Sequence, residues 1–264
     1  MKLLLISSSL VHGYGYLEHP EPEIRRILAG KKTVAFCPYA AHDHDAYTAK
    51  VRERFAQMGF EVVPFDELDR ADAIFVGGGN TFRLLKTLQE RDLLDAIRKR
   101  VRGGTPYIGS SAGSMITSPT IRTTNDMPIV ECRSLDALGL LRFQLNCHYL
   151  DPDPNSTHKG ETREVRLNEF HEENATPVLG LREGSMLWVE DGAITLVGMK
   201  PARVFRQGQQ AVEVPALTEV GVILSREDGG VILSREDGGV ILSREDSGVI
   251  LSREDGEGSP PRRS

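Results

Sequence analysis

Gly109-Ser110-Ser111-Ala112-Gly113 directly follows the short apolar run Pro106–Ile108 and precedes a short helical stretch. A G-x-S-x-G pattern in the order strand, turn, helix is the context of a nucleophile elbow. The flanking glycines let the chain turn sharply, so the Ser111 hydroxyl projects at a helix N-terminus, where negative charge is favoured. The bland alternative is a Gly/Ser-rich turn. Outward from this turn the same rhythm repeats. Leu3–Ser7, Thr33–Cys37, Glu61–Phe65 and Ala73–Val76 read as buried strands. Asp45–Met58 sets Ala46, Val51, Phe55 and Met58 at helical spacing, with Asp45 as a suitable N-cap and Gly59 as a stop. Thr81–Gln89 and Asp92–Val101 read as helices. Such alternation implies βαβ units and a parallel sheet with helices on both faces. The second half is richer in strands: Phe143–Cys147, Pro177–Leu181, Ser185–Glu190, Ala193–Val197 and Ala202–Phe205, with a helix around Gly160–Glu172. Asp191-Gly192 is a strong hairpin signal.

Gly77-Gly78-Gly79-Asn80-Thr81 is a second glycine turn between a strand and a helix. It lacks the Lys-Ser/Thr pair of a phosphate loop and the G-x-G-x-x-G of a dinucleotide site. Two glycine turns at strand ends suggest one shared crevice. The Gly79 and Ala112 amides would then form an oxyanion hole beside Ser111. A serine nucleophile needs a base, and His148 ends the strand Phe143–Cys147, at the same rim. An isolated histidine is more often structural; the strand-end position favours a role. Cys147 is a rival nucleophile, but a residue inside a strand is usually core. Glu183, between two strands, and Asp126, in the polar loop Thr123–Asp126, both qualify as the acid that would orient the base. Composition decides between neither. His42-Asp43-His44-Asp45 could ligate a metal only with further ligands from elsewhere, and no metal or other cofactor is expected.

The chain of 264 residues carries 38 acidic against 32 basic residues, a net charge of -6, with no Lys/Arg stripe, which argues against a nucleic-acid partner. Three cysteines cannot build a disulfide framework and read as reduced thiols. No apolar run approaches a membrane span or a signal h-region, so no membrane partner is expected and the cytoplasm is the expected location. From Gly221 a nine-residue unit, GVILSREDG, recurs in tandem, followed by a terminus of disordered character. The expected organisation is a catalytic domain over 1–220 and a repeat tail over 221–264. Each unit offers a Val-Ile-Leu strand and an Arg-Glu-Asp-Gly turn, a floppy or hairpin-forming tail. Its aspartates and glycines cluster after the strand rather than interleaving with it, which argues against a calcium β-helix.

The stretches VGGGNTFRLLK (76–86), YIGSSAGS (107–114), SPTIRTTNDMPIV (118–130), Asn146-Cys147-His148, HKGETRE (158–164) and GLREG (180–184) together make the sequence resemble the peptidase E family, the α-aspartyl dipeptidases of the S51 class of serine peptidases. With Leu3–Ser7 and Leu17-Glu18-His19, the likeness runs in order over about residues 1–215. It implies a three-layer αβα sandwich with a mostly parallel central sheet, similar to class I glutamine amidotransferases. It implies cleavage of dipeptides with N-terminal aspartate by a Ser-His-Glu triad. Ser111 is then the nucleophile, His148 the base and Glu183 its acid, and Asp126 matches a further functional aspartate. The substrate's aspartyl carboxylate needs a cation or several donors. Among the basic residues in the motifs, Arg122, His158, Lys159 and Arg163 are the candidates, and Arg163 is the expected reader. Asn80 and Thr124 join it as substrate-binding residues. The expected partner is a small dipeptide, and a homodimer stays open. The alternatives are a relative acting on other acidic or β-aspartyl peptides, and a non-catalytic binding protein built around the tail.

Overall fold

Five short apolar segments pair in parallel to make most of the central sheet: β1 (Lys2–Ile6), β2 (Thr33–Cys37), β3 (Glu61–Pro64), β4 (Ala73–Val76) and β5 (Tyr107–Ser110). The structure is a computed structural model that describes residues 1–153, 155, 157, 160–220, 242–244 and 249–251. Two further strands, β8 (Ser185–Glu190) and β9 (Ala193–Gly198), add antiparallel beside β1, giving the order β3-β2-β4-β5-β1-β8-β9. Asp191 and Gly192 both take positive φ at the β8–β9 turn, as that dipeptide predicts.

Alternating residues of the parallel strands face opposite ways, and both sets are buried, as expected of a parallel sheet covered on both faces. Leu4, Ile6, Val34, Phe36, Phe75 and Ile108 pack with Ile24 and Ile27 of α1 (Glu21–Ile27) and with Val51 and Phe55 of α2 (His44–Gln57). Leu3, Leu5, Ile74, Val76 and Tyr107 are fully buried as well. Here α5 (Ala112–Met115) lies against β1, β4 and β5, and α3 (Thr81–Glu90) packs on α5 and on α4 (Leu93–Arg102). This is an α/β fold with a mixed, mostly parallel central sheet, as expected.

One local reading needs correction, and two features of the fold go beyond the sequence reading. The N-cap of α2 is Asp43, not Asp45: the Asp43 backbone is extended and its carboxylate accepts the Ala46 N–H at 2.9 Å, while Asp45 lies inside the first turn. The later strands do not all join the central sheet. β6 (Gln144–Cys147), β7 (Val178–Leu181), β10 (Ala202–Phe205) and β11 (Val212–Val214) form a second sheet in the order β11-β10-β7-β6, in which only β6 and β7 are parallel. Finally, α1 and β11 were not expected. The helix α6 (Arg163–Glu173), capped by Thr162, lays Leu167 and Phe170 against Tyr149, Val178 and Phe205 of this second sheet.

The chain divides into two compact units, Met1–Leu224 and Ser225–Ser264. In the second, β12 (Leu242–Arg244) and β13 (Val249–Leu251) pair antiparallel, with Arg244 opposite Val249. The other repeat residues, 221–241 among them, lie outside the described residues.

Candidate active site

Ser111 sits between β5 and α5 with φ 52° and ψ −112°, a conformation that costs a non-glycine residue about 1–3 kcal/mol. The two glycines of the motif make it feasible. A Cβ on Gly109 would lie 2.5 Å from the Gly113 carbonyl oxygen, and one on Gly113 would lie 2.0 Å from that of Val76. Strand, turn and helix therefore approach more closely than any side chain allows. The Ser111 carbonyl accepts from Ser114 and Met115 N–H, which holds the turn from its helical side.

The base arrives from the other sheet. His148 follows β6 directly, with φ 55°, and its Nε2 lies 2.8 Å from Ser111 Oγ. Glu183 follows β7 by two residues, and its Oε1 lies 2.8 Å from His148 Nδ1. An Nδ1–H donating to that carboxylate leaves the Nε2 lone pair for the serine hydroxyl. The side chains of His148 and Glu183 keep 39% and 50% of their surface exposed, so a small substrate can reach them.

Asp126 is elsewhere. Its Oδ2 accepts the Thr81 N–H at 2.7 Å and the Thr81 hydroxyl at 2.5 Å, at the start of α3, and the Thr124 hydroxyl at 3.3 Å. It makes no hydrogen bond to His148 among the described residues. The side chain of Asn80 caps α3 by accepting from Arg83 N–H and donates to the Met127 carbonyl. Asn80, Thr124 and Asp126 thus form one braced corner around the first turn of α3.

The glycine loop 77–79 lies against the elbow: a Cβ on Gly78 would stand 3.1 Å from Ser111 Cβ. Gly78 N–H is taken by the Tyr47 hydroxyl at 2.9 Å, and Asn80 N–H by Ala40. Among the described residues Gly79 N–H and Ala112 N–H have no partner. Gly79 holds φ 137°, and a Cβ there would meet the Ala40 carbonyl at 2.4 Å.

Cys147 is fully enclosed, and burial pushes its thiol well above the usual range, with the Asp126 carboxylate adding to this. The thiolate needed for attack is not accessible to it. Arg163 is half-buried at the start of α6 and makes no hydrogen bond or ion pair among the described residues. Burial, and then the neighbouring charge of Arg166, depress its pKa, while Asp126 counters them. Arg122 is exposed, and His158 and Lys159 lie outside the described residues. A cavity of about 340 Å³ opens beside Arg163, lined also by Leu150, Asp151, Pro152, Thr162 and Arg166. The His42–Asp45 run contributes the Asp43 cap, and among the described residues no cluster of three His, Cys, Asp or Glu side chains could hold a metal.

Two supporting residues escaped sequence reasoning. Tyr47 braces the glycine loop, but its position inside α2 marks it only as a half-buried aromatic. Arg182 spends its guanidinium on Asp151 and Glu213, bidentate to each at 2.7–2.9 Å, and on the Pro201 carbonyl. It ties the segment after His148 to the residue before Glu183 and to β11. Its place within GLREG was a signal that something there mattered, but not what.

The family model that matches residues 3–197 is that of peptidase family S51. The chain belongs to peptidase family S51. This S51 peptidase is 53% identical over 231 residues to "Peptidase E" of Streptomyces coelicolor, covering 85% of this chain and 95% of that one. It is 46% identical over 234 residues to the "Probable alpha-aspartyl dipeptidase" of Drosophila melanogaster, covering 85% and 98%. Among solved structures, a putative peptidase E protein from Listeria monocytogenes aligns with a TM-score of 0.57 at 25% identity, over 75% of the S51 chain and 98% of its own. A peptidase from an acI-B1 actinobacterium shares the fold with a TM-score of 0.60 at 18% identity, over 81% and 94%. No helix among the described residues of the S51 chain is long and apolar enough to cross a membrane.

Proposed function

We propose that this S51 peptidase is a serine dipeptidase that hydrolyses Asp-X dipeptides through an acyl-enzyme on Ser111. The observation that carries the reading is the Ser111–His148–Glu183 chain of contacts, 2.8 Å at each step, with the Gly79 and Ala112 N–H groups free of partners among the described residues. Ser111 Oγ attacks the peptide carbonyl carbon as its proton passes to His148 Nε2. The C–O bond forms and the carbonyl π electrons move to oxygen, which Gly79 and Ala112 N–H groups hold. Collapse breaks the C–N bond, and His148 returns the proton to the leaving amine. Water then repeats the sequence, releases aspartate and restores the serine. Each oxyanion donor supplies roughly 3–4 kcal/mol of transition-state stabilisation.

Glu183 acts as the acid that fixes and stabilises the imidazolium. Glu183→Gln should lower kcat by roughly 10²- to 10⁴-fold, because an amide offers no compensating charge. Asp126→Asn should cost about tenfold or less, since an amide oxygen still accepts from Thr81. Steady-state kinetics on both folded variants decides this; a greater loss in Asp126→Asn would reverse the ranking.

Arg163 suits the substrate's side-chain carboxylate. Its half-buried cation makes no hydrogen bond or ion pair among the described residues and lies beside a cavity of dipeptide size. A guanidinium fork binds a carboxylate bidentately and a lysine does not. Arg163→Ala should lower kcat/KM for Asp-Leu by about 10²- to 10³-fold, and Arg163→Lys should also be impaired. Labelling of Ser111 by a small phosphonate should stay near wild-type rate in both. Unchanged Asp-Leu kinetics in Arg163→Ala would move the assignment to Arg122. The overall reading is tested with a panel of Asp-Leu, Leu-Leu and β-Asp-Arg peptides: hydrolysis of β-Asp-Arg alone would favour the β-aspartyl relative, and no hydrolysis or labelling would favour a binding protein.

A further inference from the structure

Ser7 plays no part in the proposed relay, yet it is bonded beside two of the three strand ends that carry it. It lies just past the C-terminal end of β1 and is fully buried. Its hydroxyl accepts the His148 N–H at 2.9 Å and donates to the Leu181 carbonyl at 2.7 Å. Its own N–H donates to the Ser185 carbonyl at 3.1 Å. Leu181 and Ser185 stand on either side of Glu183, each two residues away. The preceding residue completes the pattern. The Ile6 carbonyl accepts the Ser111 N–H at 2.9 Å and the Ser114 hydroxyl at 2.8 Å.

The dipeptide Ile6-Ser7 therefore holds the backbone of the nucleophile, of the base and of the segment around the acid. Ser111 and His148 both need such support, because both are non-glycine residues at positive φ. They also come from different sheets, so no shared β ladder fixes their separation.

We infer that Ser7 is a positioning residue of the triad, whose hydroxyl sets the His148 backbone against that of the Glu183 turn and, through Ile6, against Ser111. Removing the hydroxyl leaves a buried N–H and weakens the satisfaction of a buried carbonyl, with no cavity of consequence. A shift of about 1 Å in such a relay can cost on the order of 10²-fold in rate. The inference rests on the Ser-His-Glu reading above.

The experiment compares Ser7→Ala, Glu183→Gln, the double variant and Ser111→Ala on Asp-Leu, with folding checked by circular dichroism and thermal melting. Ser7→Ala should lower kcat by roughly 10- to 100-fold with KM within about threefold. In the Glu183→Gln background the same change should cost about threefold or less, because the alignment it protects has already lost its purpose. A residue that only stabilised the fold would give the same factor in both backgrounds, and that result would overturn the inference. So would a kcat within about twofold of wild type in Ser7→Ala, provided Ser111→Ala is inactive. If Ser111→Ala still hydrolyses Asp-Leu, the triad reading itself has failed and the Ser7 inference falls with it. Should Ser7→Ala not fold, Ser7→Cys puts a slightly larger side chain of the same branching in its place, with a weaker donor and acceptor, and is read by the same two comparisons.

Discussion

Ser111→Ala is expected to fold as the wild type does and to lose roughly 10⁴- to 10⁶-fold in turnover on Asp-Leu. The hydroxyl it removes is the atom that faces His148 Nε2 at 2.8 Å, and among the described residues no other hydroxyl or thiol bonds that nitrogen. Cys147 is enclosed and its thiol is pushed up by burial, so it cannot substitute. His148→Ala should lose about as much, and the double variant little more than either, because members of one relay fail as a unit. Steady-state kinetics with phosphonate labelling reads this directly. Losses that multiply in the double variant would separate the two residues into independent roles. The fold should be indifferent to Ser111→Ala: among the described residues the Ser111 hydroxyl bonds only His148, whereas the turn is held by backbone bonds with Ile6, Ser114 and Met115.

Gly113→Ala is expected to act on the fold instead. Its added methyl would stand 2.0 Å from the Val76 carbonyl oxygen and 2.7 Å from the carbonyl carbon. Both atoms belong to β4, which is hydrogen-bonded between β2 and β5 and cannot retreat without breaking the ladders. Destabilisation of about 3 kcal/mol or more is expected, at the upper end for overpacked sites. Gly30→Ala is the control. Gly30 has φ 75° with nothing within 4 Å of an added Cβ, so only the backbone penalty of roughly 1–2 kcal/mol applies. Urea unfolding of both variants measures the difference, and equal losses would show that the close approach of α5 to β4 is not what demands glycine.

Ser111 was visible because its chemistry is local: a strand, two glycines and a helix start within nine residues of one another. The Asp191-Gly192 turn and the parallel strands are visible for the same reason, since short apolar runs and turn chemistry are written in adjacent residues. The second sheet was not visible. A four-residue strand such as β6 or β7 specifies that it must be buried, but its sequence does not name the edge it joins. α1 was missed because seven residues opening on Pro20 and Glu21-Pro22 look like a loop until Ile24 and Ile27 are seen in the core. Asp45 suits a cap by residue type, but the backbone geometry at the helix start places the cap at Asp43.

The sequence by itself determined that this chain builds an α/β core around Gly109–Gly113, with Ser111 at a strand end and His148 at another. It also narrowed the acid to Asp126 and Glu183. Only the tertiary structure separates them in space: the β6–β7 pairing sets Cys147 opposite Leu181, which brings Glu183 onto His148, while Thr81 holds Asp126 at the start of α3, and this supports the proposed role of Glu183. Ser7 belongs wholly to that second kind of knowledge. Its hydroxyl reaches a carbonyl 174 residues distant in the chain. A hydrogen bond of that span leaves no periodicity and no local propensity, because its geometry exists only after both sheets have formed.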